Sequence, residues 1–156
     1  QPPHAKPVHF KIRARHFMSP EVRVARPDNT IQKAAQMMAE MEVGALPVAQ
    51  DDRLVGLITD RDIAVRAVAE SRPPSTKVRD VMTIDMKFCY DDEDIEDVSR
   101  HMSKEQVRRL PVVNRDNRLV GILALGDLAN QGAAGPASQA LEGISRPGGR
   151  HTQAAS

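Results

Sequence analysis

The sequence predicts an α+β fold in which two β-α-β-β-α repeats pack as a pseudo-twofold pair. Three observations carry that expectation. Some segments alternate apolar and charged residues or stay apolar for strand length, others place apolar residues at helical spacing, and the whole pattern occurs twice. Met18-Ser19 returns as Met82-Thr83, Ile31 as Ile95, Met38 as Met102, and Leu46-Pro47-Val48 as Leu110-Pro111-Val112, each pair 64 residues apart (111 − 47). One extra residue in the turn from Asn114 to Arg118 then shifts the spacing. Leu54-Val55-Gly56-Leu57-Ile58 returns as Leu119-Val120-Gly121-Ile122-Leu123, and Asp62-Ile63 as Asp127-Leu128, 65 apart (127 − 62). Self-similarity interrupted by a single insertion marks a duplicated structural unit.

Residues 1–15 mix basic, proline and apolar residues without a period and read as an N-terminal arm, with a short strand signal near Phe10 to Ile12. The first repeat spans residues 16–71. Val22 and Val24 alternate with charged residues as a short strand does. Pro27-Asp28-Asn29-Thr30 leads into a helix start, and Ile31, Ala34, Ala35, Met38 and Met41 form one apolar helix face. Gly44, tolerant of positive φ, is the expected stop. Leu46-Pro47-Val48 and Leu54 to Ile58 are two strands about an Asp51-Asp52-Arg53 turn. Ile63, Ala64, Ala67 and Val68 mark a second helix, closed by Ser71-Arg72-Pro73-Pro74. The second repeat, residues 72–130, follows the same order. Residues 131–156 shift to Gly, Ala, Ser and Gln and form a C-terminal tail, helical at most from Ser138 to Ile144 and flexible after Pro147-Gly148-Gly149. Each repeat leaves one sheet face apolar, and two repeats bury those faces together. Met37, Met38, Met41 and Met102 read as core filling.

Composition excludes several functions. A formal net charge of +1, with 3% aromatic residues and no Trp, gives no footprint for nucleic acid or an anionic membrane. The one cysteine, Cys89, forms no internal disulfide and fits a reducing compartment. No signal-peptide pattern opens the sequence, and the longest apolar runs are strand length, so a soluble cytoplasmic protein is expected. His4, His9, His16, His101 and His151 fall in no zinc-like spacing with Cys89, so no metal site is expected. Asp91-Asp92-Glu93-Asp94, with Glu96 and Asp97, reads as a solvated helix start favoured by the dipole. No nucleophile, base and oxyanion set is present, so no catalytic residue is assigned and no enzyme is expected.

The stretch Gly56-Leu57-Ile58-Thr59-Asp60-Arg61-Asp62 holds the candidate chemistry. A strand that stops at Thr59 feeds a helix N-terminus, whose free N–H groups and dipole suit an anion. Asp62, one turn on, is placed to accept two vicinal hydroxyls, so a sugar phosphate would satisfy both groups. Thr59-x-x-Asp62 is equally a capping box, in which the carboxylate returns to the cap N–H and binds nothing. The two readings stand side by side.

The apolar-Pro-Val strands, the Gly-x-x-Thr-x-x-Asp corner and the tandem spacing together resemble a pair of cystathionine β-synthase (CBS) domains, a Bateman module, over about residues 12–130. Within that family the chain is similar to short stand-alone bacterial members of the hypoxic response protein type. The resemblance implies a regulatory module for an adenine nucleotide, AMP or ATP first, with no required cofactor, assembled as a homodimer and read by an unidentified downstream protein. The different-class alternative is a structural or interaction module with vestigial clefts. Carried over by motif, the first cleft would join Thr59 and Asp62 to Thr76, Val81 and Met82, and to Arg108, Arg109, Leu110 and Pro111. Asp62 and Thr76 would then meet the sugar, Val81, Met82 and Leu110 the purine, and Thr59 with an arginine the phosphate. The second cleft departs from the pattern. Ala124 replaces Thr59, Ile12 replaces Thr76, and Gly44 and Ala45 replace Arg108 and Arg109. Asp127 survives, and Arg13 or Arg15 could lend a charge, so this cleft is expected to be empty or weaker.

Overall fold

The computed structural model describes residues 12–130. The expected strand near Phe10 and the tail helix from Ser138 therefore lie outside the described residues, apart from Ile12 itself. The fold is α+β, and its elements arise from local signals. Helix α1 (Ile31–Met41) starts at Thr30, whose hydroxyl accepts the Lys33 N–H at 3.0 Å. It buries Ile31, Ala34, Met37 and Met38. Ala35, expected on that face, is exposed. At about 100° per residue it falls off the stripe centred on Ala34 and Met41, and Met37 takes the flank instead.

The helix stop also differs from expectation. Glu42, not Gly44, adopts the left-handed cap, with φ 56°, and its N–H reaches the Met38 carbonyl. Gln106 does the same after α3 (Ile95–Glu105), with φ 55°. Gly44 serves a different purpose, because a β-carbon there would stand 3.0 Å from Asp60 Oδ2. Strands β1 (Ala45–Gln50) and β2 (Arg53–Thr59) form an antiparallel hairpin. Its two turn residues, Asp51 and Asp52, both have positive φ, 52° and 66°, which matches the right-handed twist of the flanking strands. Helix α2 (Asp60–Ile63) runs on as a π-type turn over Ala64–Val68. In the second repeat β3 (Cys89–Tyr90) runs parallel to β4 (Arg109–Val113), which pairs antiparallel with β5 (Leu119–Ala124), and α4 (Leu125–Asn130) follows. The strand expected at Val22 and Val24 shrinks to one parallel bridge, Ala25 to Val48. Pro27 has no N–H with which to continue it.

The two repeats exchange segments. Thr83 and Leu57 trade both backbone hydrogen bonds at 2.8 Å, so the Met82-Thr83 strand edges the first repeat's sheet. Ser19 and Ile122 do the same at 2.8 and 3.0 Å, which adds Met18-Ser19 to the second. Glycines permit this approach. A β-carbon on Gly56 would meet Met82 Sδ at 2.8 Å and the Thr83 carbonyl at 3.0 Å; one on Gly121 would meet Met18 Sδ at 2.6 Å and the Ser19 carbonyl at 2.9 Å. Two cores follow from the exchange. Val78 and Val81 fill the first beside Ile31, Met38, Leu46 and Ile58. Ala14 and Phe17 fill the second beside Ile95, Met102, Leu110 and Leu123. The hairpin tips also touch, where the Leu119 N–H donates to the Asp52 carbonyl at 2.8 Å.

Candidate ligand-binding site

At the Thr59 corner the capping box is formed. The Thr59 hydroxyl accepts the Asp62 N–H at 3.0 Å, and Asp62 Oδ2 accepts the Thr59 N–H at 3.0 Å. Two further groups hold the carboxylate. The Thr83 hydroxyl lies 3.1 Å from both its oxygens. The Arg66 guanidinium is 3.9 Å from Oδ1 and donates to the Met82 carbonyl at 2.9 Å. Asp62 is buried, at 8% exposure. Neither Thr83 nor Arg66 was expected here, although Thr83 was legible as the residue after the repeated methionine.

The remaining first-cleft candidates are dispersed. The Thr76 hydroxyl donates to the Pro73 carbonyl at 2.6 Å within its own turn. Val81 is fully buried in the first core and Met82 is half-buried. Arg108 and Arg109 are exposed, while Leu110 and Pro111 are buried in β4. Of the second-cleft candidates, Ile12 is 48% exposed, with its carbonyl accepting the Ile95 N–H. The Arg13 guanidinium is committed to the Asp92 carbonyl at 2.7 Å. Asp127 lies on α4, but its side chain is not among those described.

A cavity of about 380 Å³ opens between the repeats, walled by β1 and β4. Arg109, Leu110 and Pro111 line it from one side, Ala45, Leu46 and Pro47 from the other, and Ala124 stands beside Arg109 as its strand partner. Thr59, Asp62, Thr76, Val81, Met82 and Arg108 do not line it. Motif matching missed Val43, Val107, Arg23 and Lys87, all in the lining. The repeat spacing could have found them, since they stand in pairs 64 apart (107 − 43, 87 − 23). The floor is apolar, and its charged lining residues are Arg23, Lys87, Arg109 and Glu21. Arg23 pairs with Glu40 at 3.3 Å and Lys87 with Glu105 at 3.5 Å. Arg109 has no ion pair or side-chain hydrogen bond among the described residues. An unpaired guanidinium beside an apolar cavity is suited to an anion carried on an apolar body.

Cys89 is buried, and burial first, then Glu93 and Asp91, push its thiol up to about 12. Among the described residues no group of three His, Cys, Asp or Glu side chains is placed to hold a metal ion. None of the described helices is long and apolar enough to cross a membrane.

Comparison with known proteins identifies the family. The family model for the CBS domain matches twice, over residues 14–68 and 78–133. The chain is 44% identical over 129 residues to the CBS domain-containing protein YhcV of Bacillus subtilis, covering 82% of this chain and 91% of that protein. It is similar to the crystal structure of Hypoxic Response Protein I with two coordinated zinc ions, at 35% identity and TM-score 0.68, over 76% of this chain and 98% of that one. It is also similar to CBSX2 in complex with AMP, at 28% identity and TM-score 0.68, over 78% and 96% of the two chains. With two matched copies, the repeat-for-repeat register and the shared fold, the chain belongs to the CBS domain family.

Proposed function

We propose that this CBS pair is a regulatory module that binds an adenine nucleotide (AMP, ADP or ATP) between its repeats and transmits the event to a partner protein. The observation that carries this reading is Arg109, an unpaired cation at the wall of a cavity of about 380 Å³ whose floor is Leu46, Leu110, Pro47 and Pro111. A purine packs on such a floor while the guanidinium takes a phosphate. The AMP complex of a structural neighbour supports the ligand class. The same reading gives Asp62 the ribose hydroxyls in exchange for the Thr83 hydroxyl, and Thr59 and Arg108 the phosphate, although all three stand outside the cavity lining. Because the ligand touches both repeats, it biases their relative orientation. Homodimer formation and a cytoplasmic setting belong to the same reading; Val65 and Val68, 44% and 66% exposed on the turn that continues α2, offer apolar surface to a second copy.

One observation favours a second reading, a structural or interaction module with vestigial clefts. Asp62 is already satisfied by Thr59, Thr83 and Arg66 and requires no ligand. Calorimetry against AMP, ADP, ATP and S-adenosylmethionine separates the two. Binding that Arg109→Ala and Asp62→Asn both abolish is expected of the nucleotide module. Silence from all four with folded, ligand-free protein establishes the interaction module instead.

A further inference from the structure

Residues 12–19 are built into the second repeat. The Ala14 N–H donates to the Glu93 carbonyl at 2.9 Å and the Arg15 N–H to the Asp91 carbonyl at 3.0 Å, while the Ile12 carbonyl accepts the Ile95 N–H at 2.7 Å. Ser19 pairs with Ile122 on the edge of β5. Ala14 and Phe17 are buried in that repeat's core, and Met18 packs against it. Among the described residues, none of the segment's backbone hydrogen bonds goes to the first repeat. From Ala25 the chain belongs to that first repeat, where the Ala25 N–H donates to the Pro47 carbonyl at 2.9 Å. Residues 20–24 join the two parts and make no backbone hydrogen bond with the other described residues. The ion pair of Arg23 with Glu40 along this connector is exposed at both ends. Pro20 has no N–H to donate and biases Ser19 toward extended backbone.

A donated segment, the groove that accepts it and an unbonded connector are the parts two copies need in order to exchange segments. Every contact of the segment is the same whether the groove belongs to its own chain or to another copy, so only the path of the connector differs, and such exchange is a low-cost route to a dimer. The counterpart donation lacks this freedom. The residues leading into Val78 and Val81 are tied to the first repeat, by the Arg72 N–H on the Ala67 carbonyl at 2.9 Å and the Gln32 N–H on the Pro74 carbonyl at 3.2 Å. Ser19 and Ile122 also line the cavity between the repeats. We infer that two copies of this chain exchange residues 12–19 reciprocally, each completing the other's second core, so that the Ser19 beside Ile122 in each cavity comes from the second copy. This stands apart from the nucleotide reading and needs no ligand.

A disulfide shows which chain supplies the segment. Ser19 and Ile122 trade both backbone hydrogen bonds, so their α-carbons stand about 5.5 Å apart, within the span of a disulfide. The Ser19→Cys/Ile122→Cys protein, oxidised and run on a denaturing gel without reductant, is expected as a two-chain band. A one-chain band that carries the bond overturns the exchange, because the segment then closes on its own chain. Light scattering on the Val68→Asp protein gives a second measurement that needs no disulfide. Val68 is 66% exposed, and a charge there removes it as an apolar contact between copies. Twice the chain mass is expected to persist in this variant. A one-chain mass at high protein concentration overturns the exchange whether or not the bond forms.

Discussion

Asp62 shows how one carboxylate can hold a corner together. It accepts the Thr59 N–H and the Thr83 hydroxyl, and so ties the start of α2 to a strand that arrives from the other repeat. Asp62→Ala leaves those donors without an acceptor in a buried place, which costs about 1–3 kcal/mol. A urea titration reads this as a lower midpoint, and an unchanged midpoint would show that the links carry no stability. Cys89 supplies a prediction in pH. Its folded thiol is raised from the ordinary 9.0 to about 12. A raised value means that the contribution is complete below pH 9.0 and is lost as pH rises from there toward about 12. Folded protein is therefore expected to resist iodoacetamide at pH 8 and to react once unfolded in urea. Asp92 shifts the other way, held low chiefly by its hydrogen bond from Arg115, which also lies over the Tyr90 ring at 3.9 Å. The benefit of that exposed pair is present at neutral pH and fades as pH falls through the lowered value, and its size is small.

At the scale of elements, α1 and α3 were legible in the sequence because helical spacing of apolar residues is a local signal. Their stops were not, since Glu42 and Gln106 hold left-handed backbone without the residue type that advertises it. Glu42→Gly removes a steric penalty of about 1 kcal/mol, partly offset by glycine's entropy, and is expected to raise the melting temperature slightly. The exchanged strands were hidden for a different reason. Met18-Ser19 reads as part of its own repeat, yet it pairs with Ile122, and no neighbouring residue encodes so distant a partner. The cavity was legible in part. The motifs named Arg109, Leu110, Pro111, Ala45 and Ala124, which line it, together with Thr59 and Asp62, which do not, because the open volume depends on which side chains face each other across two hairpins. Gly121 tests the exchange. Gly121→Ala drives a β-carbon toward the Ser19 carbonyl, a backbone atom that cannot swing away. The loss is expected to be about 1–3 kcal/mol by denaturant titration; a neutral result would show that the exchanged strand gives way freely.

For the whole molecule, neither core is complete within one repeat. Val78 and Val81 finish the first, and Ala14 and Phe17 finish the second. Loss of either repeat therefore opens a void in the other, and the two cores are expected to melt in one transition by calorimetry, not two. The same exchange bears on what happens when the chain is broken. Residues 71–75 are exposed and lie between the two donated segments. A protease that nicks there leaves each fragment holding the strand that completes its counterpart, so the pieces stay interlocked and elute together until denatured. Produced apart, each would be a half-filled shell; mixed, they would rebuild the protein by complementation, without any peptide bond between them.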